Sequence, residues 1–387
     1  MGTPARHQSW TSPRATPAVC APAAPAARGA LKPRGTRARL LLAPVLTAVL
    51  AAGLLSGCGS KGTPTMPGTT TRPYLGLTAN VAANESPGDY VTALSRVRGT
   101  GADLQCISFQ WDTFDITSVR PLMDGLEGVL GYSVYINLAT IDTNNDRRPA
   151  DLKGLAWDDA RVMARLDSTV DTLAAVLRKP PQRTLVALAL GNEVDAYLAA
   201  HTTERAAYER LLAHEYARIR AAMAGVPVGV SSISPMGSPN AAIGDSVHAY
   251  GDLVIFTYYP FQSGSDFVHK PTTTLDPDFD TMSMRAGAKR WALQEVGYSS
   301  SAVNGSSPAA QADFVKRFRA RVARESRDHL VFASWFLYSD LSSAVVNQLT
   351  VNYGGSSPGF VAYLGNLGLR DTLAVDKPGW TAWTQGP

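Results

Sequence analysis

Cysteine is scarce in this chain of 387 residues: there are three. That is too few for a disulfide scaffold, and no CxxC pair occurs. The six histidines (His7, His201, His214, His248, His269 and His329) never pair at metal-ligand spacing. No structural zinc site and no other metal is therefore expected. Charged residues amount to 18%, against 45% hydrophobic ones, which excludes a solvated, coreless chain. A bulk basic charge is lacking too. The formal charge is +4, but residues 1–57 hold seven Lys/Arg and no acid; without them 29 basic residues face 32 acidic ones. This excludes the charge signature of a nucleic-acid binder. The cluster Lys316, Arg317, Arg319, Arg321 and Arg324 has no interleaved aromatic platform and reads as a solvated helix face. No glycine-rich phosphate turn is present: the exit of the first strand-like run reads TANVAANES.

One apolar run stands near the start. Residues 40–55 read LLLAPVLTAVLAAGLL after a basic, Pro/Ala-rich stretch. The run is short for a membrane span and has the flanks of a secretory leader. It ends Leu55-Ser56-Gly57-Cys58, which resembles a bacterial lipobox. That resemblance implies a lipoprotein signal over 1–57, lipidation of Cys58, and a membrane anchor outside the cytoplasm. Residues 58–72 (CGSKGTPTMPGTTTR) then form a flexible tether. Removal of the leader leaves Cys106 as the one thiol of the body, expected to be buried and inert.

From residue 73 to 387 the chain reads as one domain. Eight apolar, β-branched runs are predicted as strands: 74–81, 104–111, 132–140, 184–191, 226–233, 253–259, 290–297 and 330–337. They recur about every 37 residues, the size of a βα unit, and near-continuous apolar runs suit parallel strands covered on both faces. Helices are predicted over 158–178 and 202–224. Ser86-Pro87, Ser238-Pro239, Ser307-Pro308 and Ser357-Pro358 supply N-cap and first-turn signals. The expected fold is α/β, a (β/α)8 TIM barrel, in preference to an open doubly wound sheet.

The chain holds eight glutamates. Glu127, Glu204, Glu209, Glu215 and Glu325 fall in helical patterns and read as solvated. Glu85 lies in the first loop. Glu193 and Glu295 differ, because each follows directly on an apolar strand run. A carboxylate at the C-terminal end of a barrel strand stands where barrel active sites are built. The two fall on the fourth and seventh strands.

Gly191-Asn192-Glu193 and Gln294-Glu295, with Thr257-Tyr258-Tyr259-Pro260 and Ser334-Trp335-Phe336, resemble clan A retaining glycoside hydrolases. TYYP with GNE, and the tail Gly368-Leu369-Arg370-Asp371 through Lys377-Pro378-Gly379-Trp380, are similar to family 53 endo-galactanases. The seventh-strand exit Val296-Gly297-Tyr298 is less aromatic than that family's. The resemblance implies a retaining hydrolase of O-glycosidic bonds acting on an oligo- or polysaccharide, with Glu193 as acid/base and Glu295 as nucleophile. It further implies that Asn192 binds the sugar 2-hydroxyl, that Tyr258, or failing that Tyr259, orients the nucleophile, and that Trp335 forms a stacking floor. Asn80, Gln110, Trp111 and Asp142 line the same predicted rim as substrate-binding candidates. Asp142–Asp146 looks briefly like a calcium loop, but Arg147 stands where glycine is required and Lys153 where the terminal Glu belongs. No cofactor motif appears, and hydrolysis by two carboxylates needs none. A non-catalytic carbohydrate-binding barrel and a transglycosylase are the alternatives.

Overall fold

The computed structural model describes residues 72–177, 185–236 and 238–387. Cys58, the leader expected over 1–57 and nearly all of the expected tether lie outside them. Eight strands form one closed sheet: β1 (Tyr74–Leu77), β2 (Leu104–Gln110), β3 (Ser133–Asp142), β4 (Leu185–Asn192), β5 (Val228–Ile233), β6 (Leu253–Tyr258), β7 (Arg290–Val296) and β8 (Leu330–Trp335). Each pairs in parallel with the next, and β8 pairs back onto β1, so the sheet is a (β/α)8 barrel. A two-residue strand, Asn145–Asp146, folds back antiparallel on the end of β3.

The helices are α1 (Tyr90–Arg98), α2 (Val119–Met123), α3 (Ala160–Leu177), α4 (Val194–Ala200), α5 (Arg205–Ala222), α6 (Ala241–His248), α7 (Leu275–Ala286), α8 (Pro308–Arg324), α9 (Ser343–Tyr353), α10 (Pro358–Leu364) and α11 (Pro378–Thr384). Ser307 and Ser357 cap α8 and α10 as the sequence suggests, each accepting a backbone N–H. Ser86 starts only a 3-10 turn. Ser238 does not cap α6; Asn240 holds that position, and the Ser238 hydroxyl accepts from its N–H. No helix among the described residues is long and apolar enough to cross a membrane.

The core is layered by strand alternation. In β6, Leu253 and Ile255 point into the barrel, whereas Val254, Phe256 and Tyr258 point out toward the helices. The lumen is filled by Leu104, Tyr135, Ala187, Ala189, Ala292 and Phe332. A third cluster, built on Val346, Tyr363, Leu364 and Leu367, lies over the exits of β6 and β8 and covers Tyr259 and Phe336. It belongs to the segment carrying α9 and α10, of which the sequence signals only the start of α10, at Ser357-Pro358.

Strand β1 is shorter than the run 74–81. It pairs with β2 at one position, Gly76 with Leu104, but with β8 at four. Buried Gln105 bridges the gap: its amide N–H donates to Leu77 O at 2.9 Å and its amide oxygen accepts from Ala79 N at 3.3 Å. Glu215 is a correction. The sequence places it on a solvated helix face, but it is fully buried in α5, because its position falls on the stripe of Leu211, Leu212 and Ile219 that packs inward.

Candidate active site

The exits of β4 and β7 bring Glu193 and Glu295 to one chamber. Gly191, at φ +107, turns the chain out of β4; a Cβ there would stand 2.5 Å from Val194 and 2.7 Å from the Tyr208 hydroxyl. Glu193 then adopts a left-handed conformation, φ 47 and ψ 42, and directly precedes α4. A left-handed non-glycine residue costs energy and persists where its surroundings fix it. Here two hydroxyls do so: Thr257 donates to Oε1 at 2.6 Å and Thr143 to Oε2 at 2.8 Å. Thr143 is itself left-handed, φ 55.

Glu295 reaches the chamber through a register shift. Between β6 and β7, Phe256 pairs with Leu293 and Thr257 with Glu295, so Gln294 is an extra residue. Both Gln294 and Glu295 therefore face inward, against simple alternation. Tyr259 donates to Glu295 Oε2 at 2.7 Å and Gln294 to Oε1 at 3.4 Å. Thr257 links the pair: it bonds Glu193 and stands in register with Glu295 on the next strand. Gln294 bonds both Glu295 and Asn192, the residue before Glu193, and the charge of Glu193 acts on Glu295, so the two carboxyls share one chamber.

A polar chain supports them. Tyr135 donates to Gln294 at 2.6 Å, Gln294 to Asn192 at 2.8 Å, and Asn192 to Asp142 at 3.2 Å. Asp142 also accepts from Gln110 at 3.3 Å and pairs with Arg147 at 2.9 Å. Burial raises both catalytic candidates above the ordinary carboxylate range. Glu295 is lifted to about 7, by burial first and then by the charge of Glu193. Glu193 is raised by burial and by Asp142, and its two threonine donors hold it down. One end of the chamber is a cavity of about 220 Å³ lined by Glu295, Gln294, Asn137, Ser108, Cys106 and Phe336 among others.

Of the residues singled out in the sequence, Glu193, Glu295, Asn192, Asp142, Gln110 and Tyr259 come together here. Tyr258 does not: it points out of the barrel and donates to Asp278 at 2.8 Å. Trp335 is fully buried beneath α8 against Phe314 and Phe318, so it offers no floor; Phe336, one residue on, faces the cavity. Trp111 is buried, its indole N–H donating to Thr169 of α3. Asn80 is a clamp, bonded twice to the Ser339 backbone at 2.8 Å. Asp195, two residues beyond Glu193, accepts from Ile233 N, and burial, helped by the charge of Glu193, lifts it to about 7. Cys106 is half-buried and lines the cavity, with its thiol pushed up to about 12.

Thr143, Thr257, Phe336 and Tyr353 escape the sequence reading. Tyr353 lies at the end of α9; the charges of Asp142, Glu295 and Glu193 act on its hydroxyl after burial, and its carbonyl accepts from Asn144 at 2.7 Å. Thr257 was discoverable, because it shares the inward phase of Leu253 and Ile255.

No protein-family model matches the chain, and no curated protein does. Solved structures do match in fold. A GH5_18 protein from Streptomyces cattleya, in complex with GlcNAc, superposes with a TM-score of 0.60 at 15% identity, over 82% of this chain and 80% of that one. An exo-beta-1,4-mannosidase from Opitutaceae bacterium strain TAV5 gives 0.60 at 15% identity, over 81% of this chain but 58% of that one. A beta-glucuronidase from Bacteroides uniformis gives 0.55 at 11%, over 81% and 35%. At these identities the likeness establishes the barrel fold.

Proposed function

We propose that the protein is a retaining glycoside hydrolase acting on a saccharide outside the cytoplasm, with Glu193 as acid/base and Glu295 as nucleophile. The observation that carries this reading is the pair of neighbouring carboxylates at the exits of β4 and β7, each held by two side-chain donors and both raised by burial. The structural neighbours' names and ligands, GlcNAc, mannosidase and glucuronidase, support a saccharide as substrate.

Cleavage with retention needs one carboxylic acid to protonate the leaving oxygen and one carboxylate to attack the anomeric carbon, about 5–5.5 Å apart. Two carboxyls in one chamber, with the charge of one raising the other, resist being ionised together and keep a proton between them. With sugar bound, that proton belongs on Glu193, beside the glycosidic oxygen. Glu295 keeps its charge, stabilised by the Tyr259 hydroxyl and the Gln294 amide. Glu193, now a carboxylate, then removes a proton from water, which releases the glycosyl group from Glu295. Asn192, oriented by Gln294 and Asp142, offers its amide to the 2-hydroxyl. Phe336 supplies the apolar wall. The sugar, the linkage and any transfer to a second sugar belong to the same proposal and are read from the products. A lipid on Cys58 would keep the enzyme at the cell envelope; incorporation of labelled fatty acid should vanish in Cys58→Ala.

The test is hydrolysis of a panel of aryl glycosides by the full chain. Glu193→Gln should lose about 10²–10⁴-fold on poor leaving groups and far less on activated ones, which need no protonation. Glu295→Gln should lose turnover on both, and the first product should keep its anomeric configuration. Full activity in Glu295→Gln would overturn the nucleophile assignment, and sugar binding without turnover in the unaltered chain would leave a binding barrel instead.

A further inference from the structure

Away from the barrel mouth, helices α3 and α5 bring three ligand-type side chains together. One donor atom each of Asp167, His214 and Glu215 lies within 4.8 Å of the others. Sequence spacing does not reveal this group, because its members come from two helices. Glu215 is the informative one. It is fully buried, among the described residues no N–H or hydroxyl donates to either carboxyl oxygen, and the Asp167 carboxyl stands within hydrogen-bond reach of it, so the pair needs a proton or a cation between them. A buried carboxyl without a donor is costly and calls for a cation or a proton. Burial, followed by the charge of Asp167, pushes Glu215 up to about 8, and Arg218 offsets this only in part.

From this arrangement we infer that Asp167, His214 and Glu215 form a binding site for a divalent transition-metal ion of the zinc type, stapling α3 to α5. The donor set of one imidazole and two carboxylates suits such an ion, which holds N and O ligands at ~2.0–2.2 Å. His214 Nε2 now sits 2.8 Å from Asp167 Oδ1. The ion would take the place of that hydrogen bond. Arg218 approaches the other oxygen, Oδ2, at 3.3 Å and pairs on its far side with Asp171. It would orient the Asp167 ligand as an outer-shell partner. The imidazole edge is exposed, which gives an entry path and leaves room for a water as fourth ligand.

The probe is zinc chloride alone, titrated into the metal-free full chain at pH 7 by calorimetry, with thermal melting alongside. We expect saturable binding of one ion and a raised Tm. His214→Ala removes an exposed ligand, so folding should survive; it should weaken binding by more than the 10–100-fold typical of an outer-shell loss. Asp167→Asn should do the same. No saturable binding, or binding unchanged in both variants, overturns the site and leaves Glu215 as a proton-holding carboxyl.

Discussion

The hydroxyls of Tyr258 and Tyr259 stand one residue apart and serve opposite faces of the barrel wall. Removing the first, in Tyr258→Phe, leaves Asp278 with Lys270 at 3.7 Å and should cost about 1 kcal/mol in a denaturant melt, with kcat unchanged. Removing the second, in Tyr259→Phe, takes a donor from Glu295. That donor holds the carboxyl down, so its loss raises the Glu295 pKa further. The acid limb of the pH–rate profile should move to higher pH while kcat falls; an unmoved limb would count against the nucleophile assignment. The same one-residue ambiguity explains Trp335 and Phe336. Residue types named the two glutamates, because few carboxylates follow apolar runs. Which of two adjacent aromatics faces the lumen depended on strand phase. Leu253 and Ile255 carry that phase for β6, but nothing in the sequence announces the extra residue in β7 that turns Gln294 and Glu295 the same way.

At the level of elements, the eight strand runs were legible because burial on both faces leaves long apolar stretches. Their ends were less so, since β1 yields to the Gln105 amide where its ladder to β2 stops. Of the α9–α10 segment only the Ser357-Pro358 start of α10 was legible, because its apolar side chains cover a site rather than repeat a βα unit. Two substitutions separate scaffold from site. Trp335→Ala empties a fully packed position between β8 and α8 and should cost ~3–5 kcal/mol. Phe336→Ala should lower Tm less and act chiefly on KM. At the β4 exit, Gly191→Ala would force a side chain into a left-handed position already occupied by Val194 and Tyr208. It should reduce both Tm and kcat, the latter because Glu193 is aimed by that turn.

Across the whole molecule, buried acids set the pH response. Asp195 and Glu295 are lifted to about 7, Asp340 to about 6 and Glu215 to about 8, in each case chiefly by burial. Each holds a proton in the folded state that the unfolded chain has already released, so its contribution to stability falls as pH rises toward its folded value. His248 and His269, buried and lowered to about 4, act oppositely, but only between pH 4 and their ordinary value near 6.5. Above pH 6.5 the acids act alone among these groups. Tm should therefore decline from pH 6.5 to 8.5 in metal-free buffer, and Glu215→Gln should flatten that decline; a flat or rising profile would refute the charge assignments. The closure of the barrel carries a different consequence, for its synthesis. Strand β1 has four register partners on β8 and one on β2. At roughly 5–20 residues per second, a ribosome needs about 13–50 s to travel from Tyr74 to Leu330. Throughout that interval the first strand made waits for the last, with its edge open to whatever else the nascent chain or its neighbours present.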